Sequence, residues 1–169
     1  MKPTIYWIDR PGPGRLAILA RPRGEDWLED EIQEWREAGV DVVVSMLTAP
    51  ENLQLGLNAE AELCRTNGLQ FISFPIEDFG VPDSVDATIK RAKELNDLFE
   101  NGKSIGFHCR GCLGRAPLIA SCVLMLSGET TERSFELVSA ARGYLIPETP
   151  EQAAWGKDFA LQLNSSAHS

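Results

Sequence analysis

His108-Cys109-Arg110-Gly111-Cys112-Leu113-Gly114-Arg115-Ala116 is the stretch on which the reading of this chain turns. Ile105-Gly106-Phe107 precedes it as a short apolar run, and Pro117 with the almost wholly apolar Leu118 to Leu126 follows. The pattern reads as strand, glycine-bearing loop, helix. A loop that opens a helix turns several backbone N–H groups toward one point, and the helix dipole adds positive potential there. A cysteine at the head of such a loop is expected to be a stabilised thiolate, below the free value of about 8.5. Arg115 stands six residues after Cys109 and offers a planar, permanently charged fork that suits phosphate oxygens. Thiolate, anion cradle and arginine together describe a cysteine nucleophile aimed at a phosphate ester.

Working outward, the chain alternates strand and helix signals. Thr4 to Ile8 and Leu16 to Ala20 read as strands on either side of the break Pro11-Gly12-Pro13-Gly14. Glu25 to Ala38 carries Leu28, Ile32 and Trp35 on one helical face and stops at Gly39. The β-branched run Val40 to Leu47 reads as a buried central strand. A helix with a break near Gly56 is expected over Pro50 to Asn67, and a strand over Leu69 to Phe74. Asp83 is the expected cap of a helix over Ser84 to Asn101. Ser104 to Phe107 is the strand that delivers Cys109. Helices over Leu118 to Leu126 and Thr131 to Arg142 follow, then a last one from the capping box Thr149-Pro150-Glu151-Gln152 to about Leu163. The fold class is therefore α/β, with a mostly parallel central sheet flanked by helices. Ligands of such sheets bind beyond the strand C-termini. Both the Cys109 loop and the loop around Asp78 follow strand C-termini.

The length of 169 residues suits one domain, taken as residues 1–164, with a disordered tail at 165–169. A net charge of −9 argues against nucleic acid or an anionic membrane as principal partner. No run approaches the ~20 apolar residues of a membrane span, and Met1-Lys2-Pro3-Thr4 lacks a signal-peptide pattern. Cys64 and Cys122 fall in helical patterns as small buried residues. Only His108 and His168 are available as histidine ligands, which gives no zinc pattern. A reducing cytoplasm is the expected compartment. Oligomeric state has no signature here.

His108-Cys109, five residues and Arg115 resemble the signature loop of the cysteine-dependent protein tyrosine and dual-specificity phosphatases, in their compact, bacterial-like, single-domain form. The resemblance implies a phosphatase-like α/β fold. It also implies hydrolysis of phosphate monoesters through a phosphocysteine, with phosphotyrosine, and also phosphoserine and phosphothreonine, in proteins as substrates. Small phosphate esters would serve too. Cys109 would be the nucleophile and Arg115 a phosphate ligand. The backbone of Arg110, Gly111, Cys112, Leu113, Gly114 and Arg115 would cradle the phosphate, so no metal or other cofactor is expected. Phe74-Pro75-Ile76-Glu77-Asp78 resembles the acid loop of that family, where aspartate stands three places after the proline, which makes Asp78 the proton donor and Glu77 its rival. His108 is expected to hold the loop without acting as a base, because neighbouring residues on a strand point to opposite faces. Gln152 would either place the hydrolytic water or serve as the partner in its capping box. Two positions depart from the family. Cys112 stands where glycine is usual, and Ala116 where a serine or threonine helps the cysteine leave.

Those departures keep two alternatives open. Cys109 and Cys112 form a Cys-x-x-Cys pair at a helix start, the arrangement of thiol–disulfide exchange. The same spacing allows a phosphatase whose nucleophile is protected by a Cys109–Cys112 disulfide. Ala116 allows a phosphate-binding module with poor turnover.

Overall fold

The computed structural model describes residues 4–167. Its strands are β1 (Ile5–Trp7), β2 (Arg15–Leu19), β3 (Val42–Ser45), β4 (Gln70–Ser73) and β5 (Ser104–His108). The helices are α1 (Leu28–Glu37), α2 (Ala49–Gln54), α3 (Glu60–Thr66), α4 (Val85–Glu100), α5 (Arg115–Leu126), α6 (Thr131–Arg142) and α7 (Pro150–Ala167). One five-stranded sheet runs in the order β1-β2-β5-β3-β4. Only β1 is antiparallel, in a hairpin with β2; the other pairings are parallel.

β5 lies in the middle because its neighbours on both sides are as apolar as it is. Ile105 pairs with Leu16 on one side and Val42 on the other, and Phe107 with Ile18 and Val44. The sheet is buried on both faces, as parallel sheets are. Ile18, Val44 and Phe107 face a core completed by α4, α5 and α7, whereas Ala17, Leu19 and Val43 face Ile32 and Trp35 of α1. Every residue of α5 from Arg115 to Met125 is buried. That all-round burial suits a helix with no charged residue after its first. β5 and α5 thus form a rigid strand-and-helix frame, and the loop between them carries Cys109.

The expected fold class holds, and several boundaries move. Residues Glu25–Trp27 form a 3₁₀ turn, and α1 begins only at Leu28. The expected break near Gly56 separates two helices, α2 and α3, and Gly56 takes a φ of 69°. Ser84, not Asp83, caps α4: its side chain accepts from the Ala87 N–H. α5 starts at Arg115, three residues before the apolar run, because the signature arginine is itself part of the first turn. α7 runs Pro150–Ala167, past its expected end near Leu163 and into the stretch 165–169 expected as a tail. His168 and Ser169 lie outside the described residues.

Candidate active site

Cys109 follows the last residue of β5, and the loop from it to Gly114 brings the chain onto α5. The thiol is 2% exposed. Its strongest partner is the Cys112 side chain, and burial opposes the charge. The Ala116 N–H, the Arg115 charge and the Cys112 N–H add to the first effect, and the net result draws Cys109 down to about 6. The N–H groups of Cys112 and Ala116 are thus directed at the sulfur. Among the described residues, no backbone carbonyl takes the N–H groups of 110–115.

The loop is pinned from outside. Arg142 of α6 donates from Nε to the Cys112 carbonyl at 3.2 Å. Because a peptide unit is planar and trans, an outward carbonyl at Cys112 aims the Leu113 N–H inward. Arg142 is itself stacked near the Tyr6 and Tyr144 rings, at 4.4 and 5.0 Å from their centroids. Cys112 has a φ of 60°, in the left-handed region, which explains why glycine suits this position. Gly114 has another reason to be glycine: a Cβ there would approach the Gln152 side chain to 2.8 Å.

Arg115 is 1% exposed and is held by a carboxylate that sequence reasoning did not single out. Its Nη1 and Nη2 donate to Glu51 Oε1 and Oε2 at 2.7 and 2.9 Å, a bidentate pair. Nη1 also donates to the Ile76 carbonyl at 2.7 Å, and Nη2 lies 3.1 Å from Asp78 Oδ1. Burial works against the Glu51 charge, but the hydrogen bonds from Arg115 and Thr48 outweigh it and hold the carboxyl at about 2. Glu51 reaches this position through the capping box of α2, in which Thr48 and Glu51 satisfy each other. Thr48-Ala49-Pro50-Glu51 is legible as such a box, although nothing in it announces an arginine partner.

His108 turns away from Cys109. Its Nε2 is 2.6 Å from Glu60 Oε2, both residues are buried, and its ring lies near Trp35. Burial disfavours the imidazolium, yet the Glu60 charge and hydrogen bond prevail and raise the His108 value. His108 is thus anchored to α3 through a glutamate with no sequence signal.

In the loop 74–84, Asp78 reaches Arg115 and Glu77 does not: Glu77 accepts from the Gly80 N–H through its carbonyl and lies beside Thr48 and Pro75. Gln152 takes the capping-box position and also reaches the acid loop. Its backbone and side chain close the capping box with Thr149, and its Nε2 donates to the Gly80 carbonyl at 3.1 Å, tying α7 to the acid loop. Arg110 is exposed and points toward Gln54 at 3.4 Å. All four cysteines are free thiols; burial raises Cys64 to about 12 and raises Cys122 as well.

Residues 18–129 match the family described as "Polymorphic toxin system, DSP-PTPase phosphatase". The chain belongs to this family. It is a group of cysteine-dependent phosphatases of the dual-specificity and protein tyrosine type, and the thiol–disulfide alternative is not favoured. Cyclin-dependent kinase inhibitor 3 of the pig (Sus scrofa) is 26% identical over 138 residues, covering 80% of this chain and 65% of that protein. The chain thus spans 65% of the length of that curated relative. A crystal structure of kinase-associated phosphatase with its catalytic-site cysteine replaced by serine superposes with a TM-score of 0.85. It shares 20% identity and covers 98% of each chain. The active form of Tk-PTP gives a TM-score of 0.76 at 27% identity, covering 96% of this chain and 99% of the other. No helix among the described residues is long and apolar enough to cross a membrane.

Proposed function

We propose that this chain hydrolyses phosphate monoesters on proteins, phosphotyrosine first and phosphoserine or phosphothreonine also, through a phosphocysteine at Cys109. The single observation that carries the reading is the focus on the Cys109 sulfur. Two backbone N–H groups, the Arg115 charge and a neighbouring thiol meet there and keep it ionised near neutral pH.

A phosphate entering the loop would accept from the N–H groups of Arg110, Gly111, Cys112, Leu113, Gly114 and Arg115. It would also compete with Asp78 for Arg115 Nη2. That competition frees Asp78 to turn toward the leaving oxygen, and the exposure of its side chain, 39%, leaves it room to do so. In the first step the Cys109 thiolate attacks phosphorus, the P–O bond breaks and the Asp78 carboxyl protonates the departing oxygen. In the second, water attacks phosphorus, Asp78 takes its proton, and the P–S bond breaks to return the thiolate and release inorganic phosphate. The Glu51 pair keeps the Arg115 fork in one orientation through both steps. We read the unit as one domain acting in the cytoplasm on phosphoprotein, without nucleic acid or membrane as partner.

Release of p-nitrophenol from p-nitrophenyl phosphate, with reductant and without added metal, tests the reading. Wild type should be active, Cys109→Ser should fall to background, and a phosphotyrosine peptide should be dephosphorylated faster than its phosphoserine counterpart. Activity that survives in Cys109→Ser would sink it.

A further inference from the structure

His108 and Glu60 form a buried pair that the reaction above does not use. His108 is the last residue of β5, and its ring lies on the α1 side of the sheet, 5.9 Å from the Trp35 ring between centroids. Cys109, the next residue, joins the core on the opposite side with Ala116 of α5. The His108 and Glu60 side chains are 0% and 1% exposed, and Nε2 stands 2.6 Å from Oε2. Among the described residues, His108 Nδ1, Glu60 Oε1 and Trp35 Nε1 have no hydrogen-bond partner. Within that set the Nε2–Oε2 contact is the only side-chain hydrogen bond of either residue. The other groups around the pair bring no competing charge. Cys64, on α3 one turn after Glu60, is buried and raised to about 12, so it stays a neutral thiol. Arg65 is exposed, and α1 faces the ring with Trp35.

A carboxylate and an imidazole that share one dry site charge together, because an unpaired charge there costs more than the pair. The ring belongs to the residue next to Cys109, their Cα atoms about 3.8 Å apart, and Glu60 holds it from the far side. The positive end of the pair is thus the end joined to the nucleophile. We propose that Glu60 is a positioning residue for the reaction at Cys109: by holding the His108 ring as an imidazolium from the α3 side, it keeps a positive charge behind the phosphate loop. The proposal rests on the phosphatase reading above. No bond is made or broken at either residue. Cys109 is an anion when it attacks phosphorus, uncharged while it carries phosphate, and an anion again when water displaces it. A fixed positive charge behind it favours the thiolate over the thiol before attack, and favours sulfur as leaving group in the second step. The buried setting transmits that charge with little screening. The raised His108 value agrees, since the Cys109 charge adds to that of Glu60 in outweighing burial.

The experiment compares wild type, Glu60→Gln, and Glu60→Gln combined with His108→Asn. Glutamine keeps the length and the hydrogen-bonding end of Glu60 and removes its charge, so it separates the charge from the mere holding of the ring. The first readout needs no variant to fold. The chain has two histidines, His108 and His168, so imidazole NMR of the carbon-13-labelled protein resolves His108, and in wild type it should still be an imidazolium at neutral pH. In Glu60→Gln it should be neutral. The second readout is the pH dependence of phosphate-protectable iodoacetamide alkylation at Cys109. Its midpoint should move up from about 6 by about one unit in Glu60→Gln. The kcat/KM for p-nitrophenyl phosphate should then fall by about tenfold on the acid side of the profile and little on the alkaline side. The double variant should share the midpoint of Glu60→Gln, because the charge is already gone. A neutral His108 in wild type would overturn the proposal, as would an unshifted midpoint in Glu60→Gln or a further shift in the double variant. A loss of rate equal at every pH would reduce Glu60 to a structural role and overturn it too. Silence of the wild type toward the phosphate ester would instead sink the phosphatase reading, while the His108 signal and the alkylation midpoint would still decide the role of Glu60.

Discussion

The two loops that meet at Arg115 are built on opposite principles. The loop 109–115 is buried at Cys109, Cys112, Gly114 and Arg115, and is pinned by Arg142, Glu51, Leu19 and Gln152. The loop 74–84 is anchored at its start by the Phe74 and Ile76 N–H groups on the Ser45 and Met46 carbonyls, but it is exposed at Glu77, Asp78 and Phe79, where its ties run through Arg115 and the Gly80 carbonyl. A nucleophile and an anion cradle must be held in fixed geometry, because misplaced donors lose their advantage in the transition state. A proton donor has to move between an arginine and a leaving group, so it belongs on a loop that is cheap to displace.

Substitutions sharpen this contrast by asking whether activity and stability fall together. Arg115→Lys should have the largest effect, a loss of about 10²–10³ in kcat/KM toward p-nitrophenyl phosphate, since an ammonium reproduces neither the fork toward phosphate nor the pair with Glu51. A loss under tenfold would mean that the cradle works without its arginine. Asp78→Asn should lower kcat by about 10², and more with a poorer leaving group than p-nitrophenolate. Its thermal midpoint should stay near that of wild type, as befits a half-exposed residue. A large drop in midpoint would erase the distinction between the two loops.

Glu51→Gln should show the reverse balance. Removing one partner of a buried ion pair costs about 3 kcal/mol, or several degrees of midpoint at about 2–4 °C per kcal/mol, with a smaller loss of rate. The pH dependence fixes the sign. The Glu51 value in the folded protein is depressed from 4.5 to about 2, so its contribution is fully present above about 4.5 and is lost as pH falls toward about 2. The midpoint gap between wild type and Glu51→Gln, followed by circular dichroism, should therefore close over that interval. A gap that is independent of pH would assign the stability to something other than the ion pair. The smallest effect is expected of Gln152→Ala, about 1 kcal/mol from the lost cap and the lost bond to Gly80. A modest fall in kcat would accompany it as the acid loop loosens.

The loops of Cys109 and Asp78 both follow strand C-termini in the sequence, and the structure brings Cys109, Arg115 and Asp78 together at that edge. They were legible because each is written in local sequence: a strand, a glycine-bearing loop, a helix, and an aspartate three places after a proline. Glu51 was not, although its capping box was there to be seen. Its partner lies 64 residues away, and no spacing rule spans that distance. Glu60 was silent for the same reason, 48 residues from His108. The cap of α4 went to Ser84 instead of Asp83 because the two adjacent residues are both good caps, and only the backbone direction chooses between them.

What the sequence by itself determined is therefore the chemistry and its frame. Hydrophobic periodicity set the strands and helices, and a nine-residue stretch from His108 to Ala116 carries the proposed nucleophile and its cradle. Only the tertiary structure decided which carboxylate orients Arg115, which one holds His108, and that the Cys112 thiol donates to the Leu19 carbonyl. Those choices depend on residues far apart in the chain meeting in a dry interior. There an unpaired charge is costly enough to select its partner, and that cost exists only once the core has closed.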